Sequence, residues 1–226
     1  HLLGNGLAGW LRGRSRTIKD WFAGYCRWSA YRMGEAELSE AAAQLLAFRP
    51  TCVLGYAVAL DRFARANVTR KNEFHRLRLK AVIATAESFP RPDSREFLQN
   101  VFGCPVVMEY GAVETGLIAH EQPRGGYAVF WRRYFIEVLP SSGAGEAGEI
   151  LVTSLDPRCL PLIRYRLGDL IVPSQGIDPV TEFEAVIGRC NDTIVLPDGQ
   201  EVHSEAVAHA LRTIPVTGFQ LVQSSS

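Results

Sequence analysis

The sequence predicts an α/β fold, in which a parallel sheet flanked by helices is followed by a β-rich, barrel-like part and by the start of a small α/β unit. Up to about residue 116, nearly continuous apolar strands alternate with helical segments, which is typical of a parallel sheet covered on both faces. From residue 117 to 189, short strands are divided by Gly, Pro and Ser, as in antiparallel sheets. The last segment begins with IGRCNDTI at Ile187 and predicts a strand, an Asp-Gly turn, a helix at 204–213 and another strand.

The α/β part opens with a predicted helix at 35–48, EAELSEAAAQLLAF, whose Leu and Ala side chains form one stripe and which stops before Pro50. A short buried strand, TCVLGY, and a helix, AVALDRFARAN, come next. The strand LKAVIATA then leads to a helix with Asp93 as its predicted cap and Gly103 as its predicted end. The strand PVVMEYG closes this part, so three strands alternate with helices.

The β-rich part is predicted from five short apolar segments, each bounded by turn-forming residues. In chain order these are LIAHE, YAVFW, YFIEVLP, GEILVTSL and LIRYRLGDLIVP. Their shortness and the absence of helical segments between them favour antiparallel pairing, in a barrel or a distorted sheet.

Composition excludes some classes of function. Lys plus Arg number 24 and Asp plus Glu number 24, a balance that argues against a nucleic-acid partner bound through bulk charge. The five cysteines form no C-x-x-C pair and predict free thiols in a reducing compartment. No apolar run is long enough to span a bilayer and no signal peptide opens the chain, so we predict a soluble, cytoplasmic protein without a membrane partner.

Two loops follow the carboxyl ends of predicted parallel strands, where ligands bind in such sheets. These loops are TAES and YGAVETG, and they carry Glu87 and Glu114. Each feature also has an ordinary explanation, because Glu114 suits a solvated turn and Glu87 suits a cap of the following helix. Asp169 of RYRLGDL suits a hairpin turn, and Arg189 of IGRCND suits a surface position.

The order and spacing of the motifs along the chain are more informative than any single motif. TAES, FGCPVVMEYGAVETG, GEILVTSL, PLIRYRLGDL and IGRCNDTI occur in one series. This series resembles the adenylate-forming superfamily of acyl-CoA synthetases, and within it the phenylacetate-CoA ligase branch and its CapK-like relatives, named for capsular polysaccharide biosynthesis. The resemblance extends over roughly residues 28 to 223.

The resemblance implies a nucleotide site. By the family pattern, the backbone around Tyr110 and Gly111 lies against the adenine, Glu114 binds magnesium at the phosphates, Asp169 bonds the ribose hydroxyls and Arg189 contacts ribose or phosphate. The other implied nucleotide-binding residues are Ala86, Glu87, Ser88, Glu109 and Ala112. The implied acid pocket is walled by Phe89, Met108, Ala112 and Gly116, although these residues would equally serve only to pack the turn.

The implied reaction is ATP-dependent activation of a small carboxylic acid. Attack of the carboxylate on the α-phosphate gives an acyl-adenylate and pyrophosphate, and the acyl group then passes to coenzyme A or to an amine. The protein positions two anions and offsets their repulsion with magnesium and cationic groups. Magnesium often takes only one or two protein ligands, so a single glutamate suffices. The cofactors expected are ATP and Mg²⁺, with coenzyme A as one acceptor and a homodimer as one oligomeric state.

Several features depart from the family pattern. The Ser/Thr/Gly-rich phosphate loop and the lid lysine are missing from the sequence, and Val113 stands where the family has a Thr or Ser beside the phosphate. The chain begins with His and ends in SSS, so we expect a fragment or the ordered part of a longer chain. These departures keep open an alternative, a degenerate relative that binds nucleotide or a partner without catalysis.

A structural zinc site, which many relatives have, is not expected here. Gln122 and Ala128 stand at the first two ligand positions, and no cysteine pair precedes Ile187. A Cys/His zinc site needs about four such ligands, so His120 is predicted to be a surface or pocket-wall side chain.

The resemblance divides the chain into two domains. Residues 1–189 are predicted to be the large adenylate-forming domain, incomplete at its N-terminus, with its α/β part ending at about 116 and its β-rich part at 117–189. Residues 190–226 are predicted to begin the C-terminal lid domain, with the hinge at Asn191 or Asp192. A dehydrogenase of the Rossmann type is disfavoured because no G-x-G-x-x-G motif opens a helix after a strand.

Overall fold

The computed structural model describes residues 20, 24–30, 33–140, 147–156, 161–174 and 179–190, together with the backbone of strands at 193–195 and 201–203. The chain divides into two compact units, His1–Val107 and Met108–Ser226. The predicted division into a large domain and a lid domain stays a prediction, and so do the helix at 204–213 and the hinge at Asn191 or Asp192, which lie outside the described residues. No helix in the described part of the chain is long and apolar enough to cross a membrane.

The first unit has the α/β character that the sequence predicts. Its elements are helix α1 (Glu35–Phe48), strand β1 (Cys52–Tyr56), helix α2 (Ala57–Ala66), a 3₁₀ turn (Val68–Arg70), helix α3 (Lys71–His75), strand β2 (Ala81–Thr85) and helix α4 (Ser94–Phe102). Strands β1 and β2 pair in parallel, with Cys52 opposite Ala81 and Tyr56 opposite Thr85.

The ends of these helices follow from local sequence. Helix α1 ends at Arg49, whose left-handed backbone (φ 53°) lets its N–H bond the Leu45 carbonyl, and Pro50 follows. Helix α4 ends at Gly103 with φ 68°, the conformation that glycine adopts without strain. Asp93 occupies the N-cap position of α4 as predicted, but its side chain makes no capping bond. Its carboxylate binds Arg65 instead.

The core of the first unit is built around three phenylalanines. Phe74 and Phe102 are buried and lie within 5.4 Å of each other between ring centroids, and Phe63 packs against both. Leu45, Leu98 and Val82 are also buried. This apolar contact fixes the helices around the β1–β2 pair.

The second unit is an antiparallel sheet, as the short strands predict. Strand β3 (Val106–Ala112) begins in the first unit, and the next strands are β4 (Gly116–Glu121), β5 (Tyr127–Val129), β6 (Tyr134–Pro140), β7 (Gly148–Ser154), β8 (Tyr165–Pro173) and β9 (Glu182–Arg189). Neighbouring strands are hydrogen-bonded in the order β3-β4-β5-β9-β8-β7-β6. A separate pair is formed by β10 (Thr193–Val195) and β11 (Glu201–His203).

One face of this sheet carries the core of the second unit. Alternate residues of its strands point to this face, as the two-residue period of a strand requires. Its members include Tyr110, Ile118, Tyr134, Ile136, Ile150, Val152, Ile171 and Phe183. Two members, Tyr110 and Tyr134, carry hydroxyls, and a buried hydroxyl needs a hydrogen-bond partner.

Candidate functional site

Asp169 lies at the centre of a buried polar cluster in the second unit. It is opposite Arg189 in the β8–β9 register, and Arg189 Nη1 is 3.2 Å from Asp169 Oδ1. Asp169 is only 8% exposed, whereas the Arg189 side chain is 59% exposed. The carboxylate is therefore held at the edge of the core, and its cationic partner reaches into solvent.

Tyr110 fixes the other oxygen of this carboxylate. Its hydroxyl donates a hydrogen bond to Asp169 Oδ2 at 2.8 Å, and its ring packs edge-on against buried Phe183 with centroids 5.6 Å apart. Burial and the adjacent Asp169 carboxylate raise the pKa of Tyr110 far above its usual range. The phenol therefore stays protonated and acts as a donor at every physiological pH.

This arrangement suits recognition of a ligand that offers hydroxyl donors. Each carboxylate oxygen accepts more than one hydrogen bond, so Asp169 keeps acceptor capacity beyond Tyr110 and Arg189. Two vicinal hydroxyls donate to such a group through charge-assisted bonds. Sequence reasoning identified Asp169, Arg189 and Tyr110 separately, and the structure brings all three together.

Glu114 lies on the turn between β3 and β4, and the turn has a defined shape. The β3–β4 register shifts between Tyr110 and Gly111, which is a β-bulge. A Cβ atom on Gly111 would lie 2.4 Å from the Gly116 carbonyl oxygen, and Gly116 has φ +80°. Both glycines are thus required by the backbone, and the turn presents Glu114 as an exposed side chain.

Thr115 braces this turn from inside, a role that the sequence did not indicate. It is fully buried. Its Oγ1 accepts from the Ala112 N–H at 3.3 Å and lies 3.0 Å from the Gly116 carbonyl oxygen. The hydroxyl side chain that the family pattern puts at position 113 is a valine here, and Val113 is fully exposed.

Tyr134 is a second residue that sequence reasoning missed. It is 1% exposed, and its hydroxyl donates to the Thr115 carbonyl at 2.6 Å. The only sequence signal is a tyrosine at the first, inward-facing position of strand β6, where an apolar residue would pack equally well.

The Glu114 turn fits the kind of metal that the resemblance implies. Among the described residues, no group of three or more His, Cys, Asp or Glu side chains could hold a metal ion by itself. Magnesium does not need such a group, because it commonly binds through one carboxylate, substrate phosphates and water. The exposed Glu114 carboxylate on this turn would supply that one hard oxygen ligand. The expectation that no zinc is bound stays a prediction.

The TAES segment, in the first unit, gives a different result. Ala86 has a left-handed backbone (φ 72°), an uncommon conformation for a residue with a side chain. Glu87 Oε1 accepts a hydrogen bond from the Val58 N–H at 3.1 Å, at the start of helix α2. Glu87 therefore caps a helix that precedes it, and the alternative that it caps the following helix is wrong. Ser88 is exposed.

The residues expected to wall the acid pocket have separate local partners. The Arg95 guanidinium lies 5.2 Å from the centre of the Phe89 ring. The Met108 N–H donates to Glu121 Oε2 at 2.9 Å, and Ala112 is half-buried beside the turn. Gly116 lies beneath Tyr134, since a Cβ there would be 3.9 Å from the hydroxyl. The roles of Phe89, Met108, Ala112 and Gly116 in an acid pocket stay predictions.

Glu109 lies in the same strand as Tyr110 but faces the other way. It is half-buried and opposite His120 in the β3–β4 register. Burial raises the pKa of the Glu109 carboxyl, and the neighbouring His120 opposes that rise. His120 is exposed and packs on Phe130 with ring centroids 5.2 Å apart.

Comparisons with known proteins point in the same direction as the motifs. A scan of protein families finds no match to this chain. The protein CapK of Staphylococcus aureus is 24% identical over 210 residues, which cover 87% of this chain and 44% of CapK. This chain therefore spans less than half the length of that relative.

Solved structures of adenylate-forming enzymes have the same fold. An open form of 2-hydroxyisobutyryl-CoA ligase, in complex with 2-HIB-AMP and CoA, matches with a TM-score of 0.62 at 17% identity, over 79% of this chain and 42% of that enzyme. The adenylation domain of a carboxylate reductase from Mycobacterium chelonae matches with a TM-score of 0.55 at 14% identity, over 74% of this chain and 31% of that domain. These likenesses confirm the predicted fold, and with CapK they confirm the predicted resemblance.

Proposed function

We propose that this chain, whose fold is that of adenylate-forming enzymes, belongs to an enzyme that activates a small carboxylic acid with ATP through an acyl-adenylate. The acyl group then passes to coenzyme A or to an amine. The CapK-like resemblance of the motifs favours a role in polysaccharide or secondary metabolism, we place the enzyme in the cytoplasm, and a homodimer is one assembly to test.

One observation carries the proposal: Asp169, Tyr110 and Arg189 form a single cluster in the unit that also holds the Glu114 turn. In the proposed complex, Asp169 accepts from the ribose hydroxyls and Arg189 offsets charge on the nucleotide. Glu114 would hold magnesium at the phosphates, and the ion, when bound, would offset the repulsion between the carboxylate and the α-phosphate. The adenine contacts of Ala86, Glu87 and Ser88 rest on the resemblance alone.

The test is exchange of labelled pyrophosphate into ATP by the full-length gene product. Aryl, fatty and amino acids are supplied one at a time, with and without magnesium. We expect exchange that requires one class of acid and requires magnesium. Glu114→Gln is expected to lower the exchange rate about 100-fold, as when a charge-stabilising group is removed from an active site.

A matched control is Glu184→Gln. Glu184 is an exposed carboxylate in the same unit, and its substitution is expected to leave exchange unchanged. Addition of coenzyme A or of amines to the acid that supports exchange then identifies the acceptor by the product formed.

A second function, nucleotide or partner binding without catalysis, is favoured by Val113. Its side chain is fully exposed and cannot donate a hydrogen bond to a phosphate. Protein that binds ATP but catalyses no exchange with any acid in the panel would establish this second function and exclude the first.

A further inference from the structure

Both tyrosine hydroxyls of the buried core in the second unit are bonded to parts of the candidate site. The Tyr110 hydroxyl donates to the Asp169 carboxylate, and the Tyr134 hydroxyl donates to the Thr115 carbonyl. The first bond reaches the group that faces a ribose in the proposed complex. The second reaches the residue next to Glu114.

Tyr110 determines the orientation of the Asp169 carboxylate. One oxygen is held by the phenol at 2.8 Å, and the other lies 3.2 Å from Arg189 Nη1. Arg189 is mostly exposed, and a long exposed side chain holds a partner weakly. Tyr110 is buried and its ring is packed against Phe183, so its hydroxyl is the rigid contact.

Tyr134 acts on the turn rather than on a carboxylate. Its short bond to the Thr115 carbonyl ties the turn to the start of strand β6. The Thr115 hydroxyl braces the same turn from within. Glu114 stands on this turn, so a movement of the turn's backbone also moves its carboxylate.

We propose that Tyr110 and Tyr134 are two independent positioning residues, Tyr110 for the ribose-binding carboxylate and Tyr134 for the turn that presents the magnesium ligand. The inference rests on the proposed function, since ribose and magnesium are its ligands. A phenylalanine would fill either place with the same ring and without the cost of burying a hydroxyl. The hydroxyls are therefore the groups to test.

The experiment measures binding, and so it does not depend on turnover. Calorimetric titrations of the full-length gene product with ATP, 2′-deoxyATP and 3′-deoxyATP give the affinity contributed by each ribose hydroxyl. Titrations with ATP at increasing magnesium give the magnesium concentration at half-saturation. Tyr110→Phe and Tyr134→Phe are compared with wild type, and Tyr165→Phe, an exposed tyrosine on the strand of Asp169, is the control.

Two opposite patterns are expected. Tyr110→Phe reduces the preference for ATP over the deoxynucleotides about three- to tenfold, the value of one hydrogen bond, and leaves the magnesium dependence unchanged. Tyr134→Phe raises the magnesium concentration at half-saturation by about the same factor and leaves the ribose preference unchanged. Tyr165→Phe changes neither. If Tyr134→Phe is too unstable to purify, Thr115→Val removes the internal brace of the same turn and is expected to show the same magnesium effect.

Other outcomes overturn the inference. If both variants shift both quantities equally, the hydroxyls only stabilise the fold, and if neither quantity moves, they position nothing. Wild type that binds ATP without pyrophosphate exchange refutes the proposed activity but leaves the two binding patterns as a valid test. Wild type that binds no ATP refutes the activity and the inference together.

Discussion

Among the described residues, each unit buries one aspartate beside an arginine, and the two pairs are built differently. Asp61 in the first unit is 4% exposed, and Asp169 in the second is 8% exposed. Both carboxylates therefore need partners that replace water. The difference lies in how completely the protein supplies those partners.

Asp61 is satisfied within its own helix. Arg65 Nε lies 3.1 Å and 3.0 Å from the two Asp61 oxygens, and the guanidinium also binds Asp93 and covers the Phe97 ring at 4.3 Å. The arginine side chain is only 25% exposed. This pair joins helix α2 to the start of α4 and has the character of a structural brace.

The Asp169 carboxylate has two partners, and only one of them is a buried side chain. The buried Tyr110 hydroxyl holds one oxygen, and the partner of the other oxygen is an arginine that extends into solvent. When the partner of a buried carboxylate is exposed, a ligand can replace that partner's contact with its own hydrogen bonds, and the free-energy cost of losing the contact is small. The comparison shows that burial of a charge indicates a site only where the pairing is incomplete.

The largest predicted effect is a difference in stability between proteins in which one or the other aspartate is substituted. Asp61→Asn is expected to lower the free energy of unfolding by about 2 kcal/mol, because it leaves a partly buried arginine with less compensation. Asp169→Asn is expected to lower it by less than about 1 kcal/mol, because Arg189 is already solvated. Urea denaturation, followed separately in the two variants, measures both values.

For ATP affinity we expect the opposite order, in which the substitution of Asp169 has the larger effect. Asp169→Asn is expected to weaken ATP binding about tenfold or more, since bonds to a charged acceptor are lost, whereas Asp61→Asn leaves it unchanged in protein that remains folded. Equal losses of ATP affinity in both variants would show that Asp169 is only a second structural brace.

A smaller effect compares a glycine in each unit. Gly111→Ala puts a Cβ 2.4 Å from a backbone oxygen, and the clash is expected to cost about 1–2 kcal/mol or to shift the turn. Gly55→Ala on β1 meets only Leu60 side-chain atoms, at 3.4 Å, and is expected to change stability by less than about 1 kcal/mol. Thermal unfolding of both variants measures the difference, and a Gly111→Ala protein as stable as Gly55→Ala would show that the turn is not rigidly held.

Sequence periodicity predicted helices α1, α2 and α4 and strands β1 to β8, because apolar patterning follows burial directly. It missed the short helix α3 (Lys71–His75). It did not predict that β9 starts at Glu182, because the segment from Ile187 was assigned to the first strand of the following α/β unit. The segment TEFEAVI looks polar when read as a loop, yet its alternation places Phe183 in the core. Pairing with a central strand, rather than propensity, makes this segment a strand.

Motifs located Tyr110, Glu114, Asp169 and Arg189, but they did not reveal the groups that hold these residues in place. Glu87 shows why, since its partner is the N–H of Val58, 29 residues earlier. Tyr134 and Thr115 are likewise joined by a contact between strand β6 and the β3–β4 turn. Such bonds depend on tertiary distance, for which a single sequence carries no periodic signal.

The smallest predicted effect concerns Glu109, a half-buried carboxyl in the second unit that lies opposite His120. Burial raises its pKa in the folded protein above the unfolded value, and His120 opposes this. The folded state therefore binds more protons than the unfolded state between those two pKa values, so Glu109 makes the fold less stable as the pH rises through that window.

Glu109→Gln removes the titration. Its stability relative to wild type should increase from about pH 4, near the usual glutamate pKa, toward neutrality, as followed by urea denaturation at each pH. A difference that stays constant across that range would mean that the carboxyl is solvated. An increase would show that the half-buried Glu109 carboxylate weakens its unit at neutral pH, whereas the Asp61 carboxylate is compensated by Arg65. The packing of the fold would then not explain why a carboxyl stands at position 109.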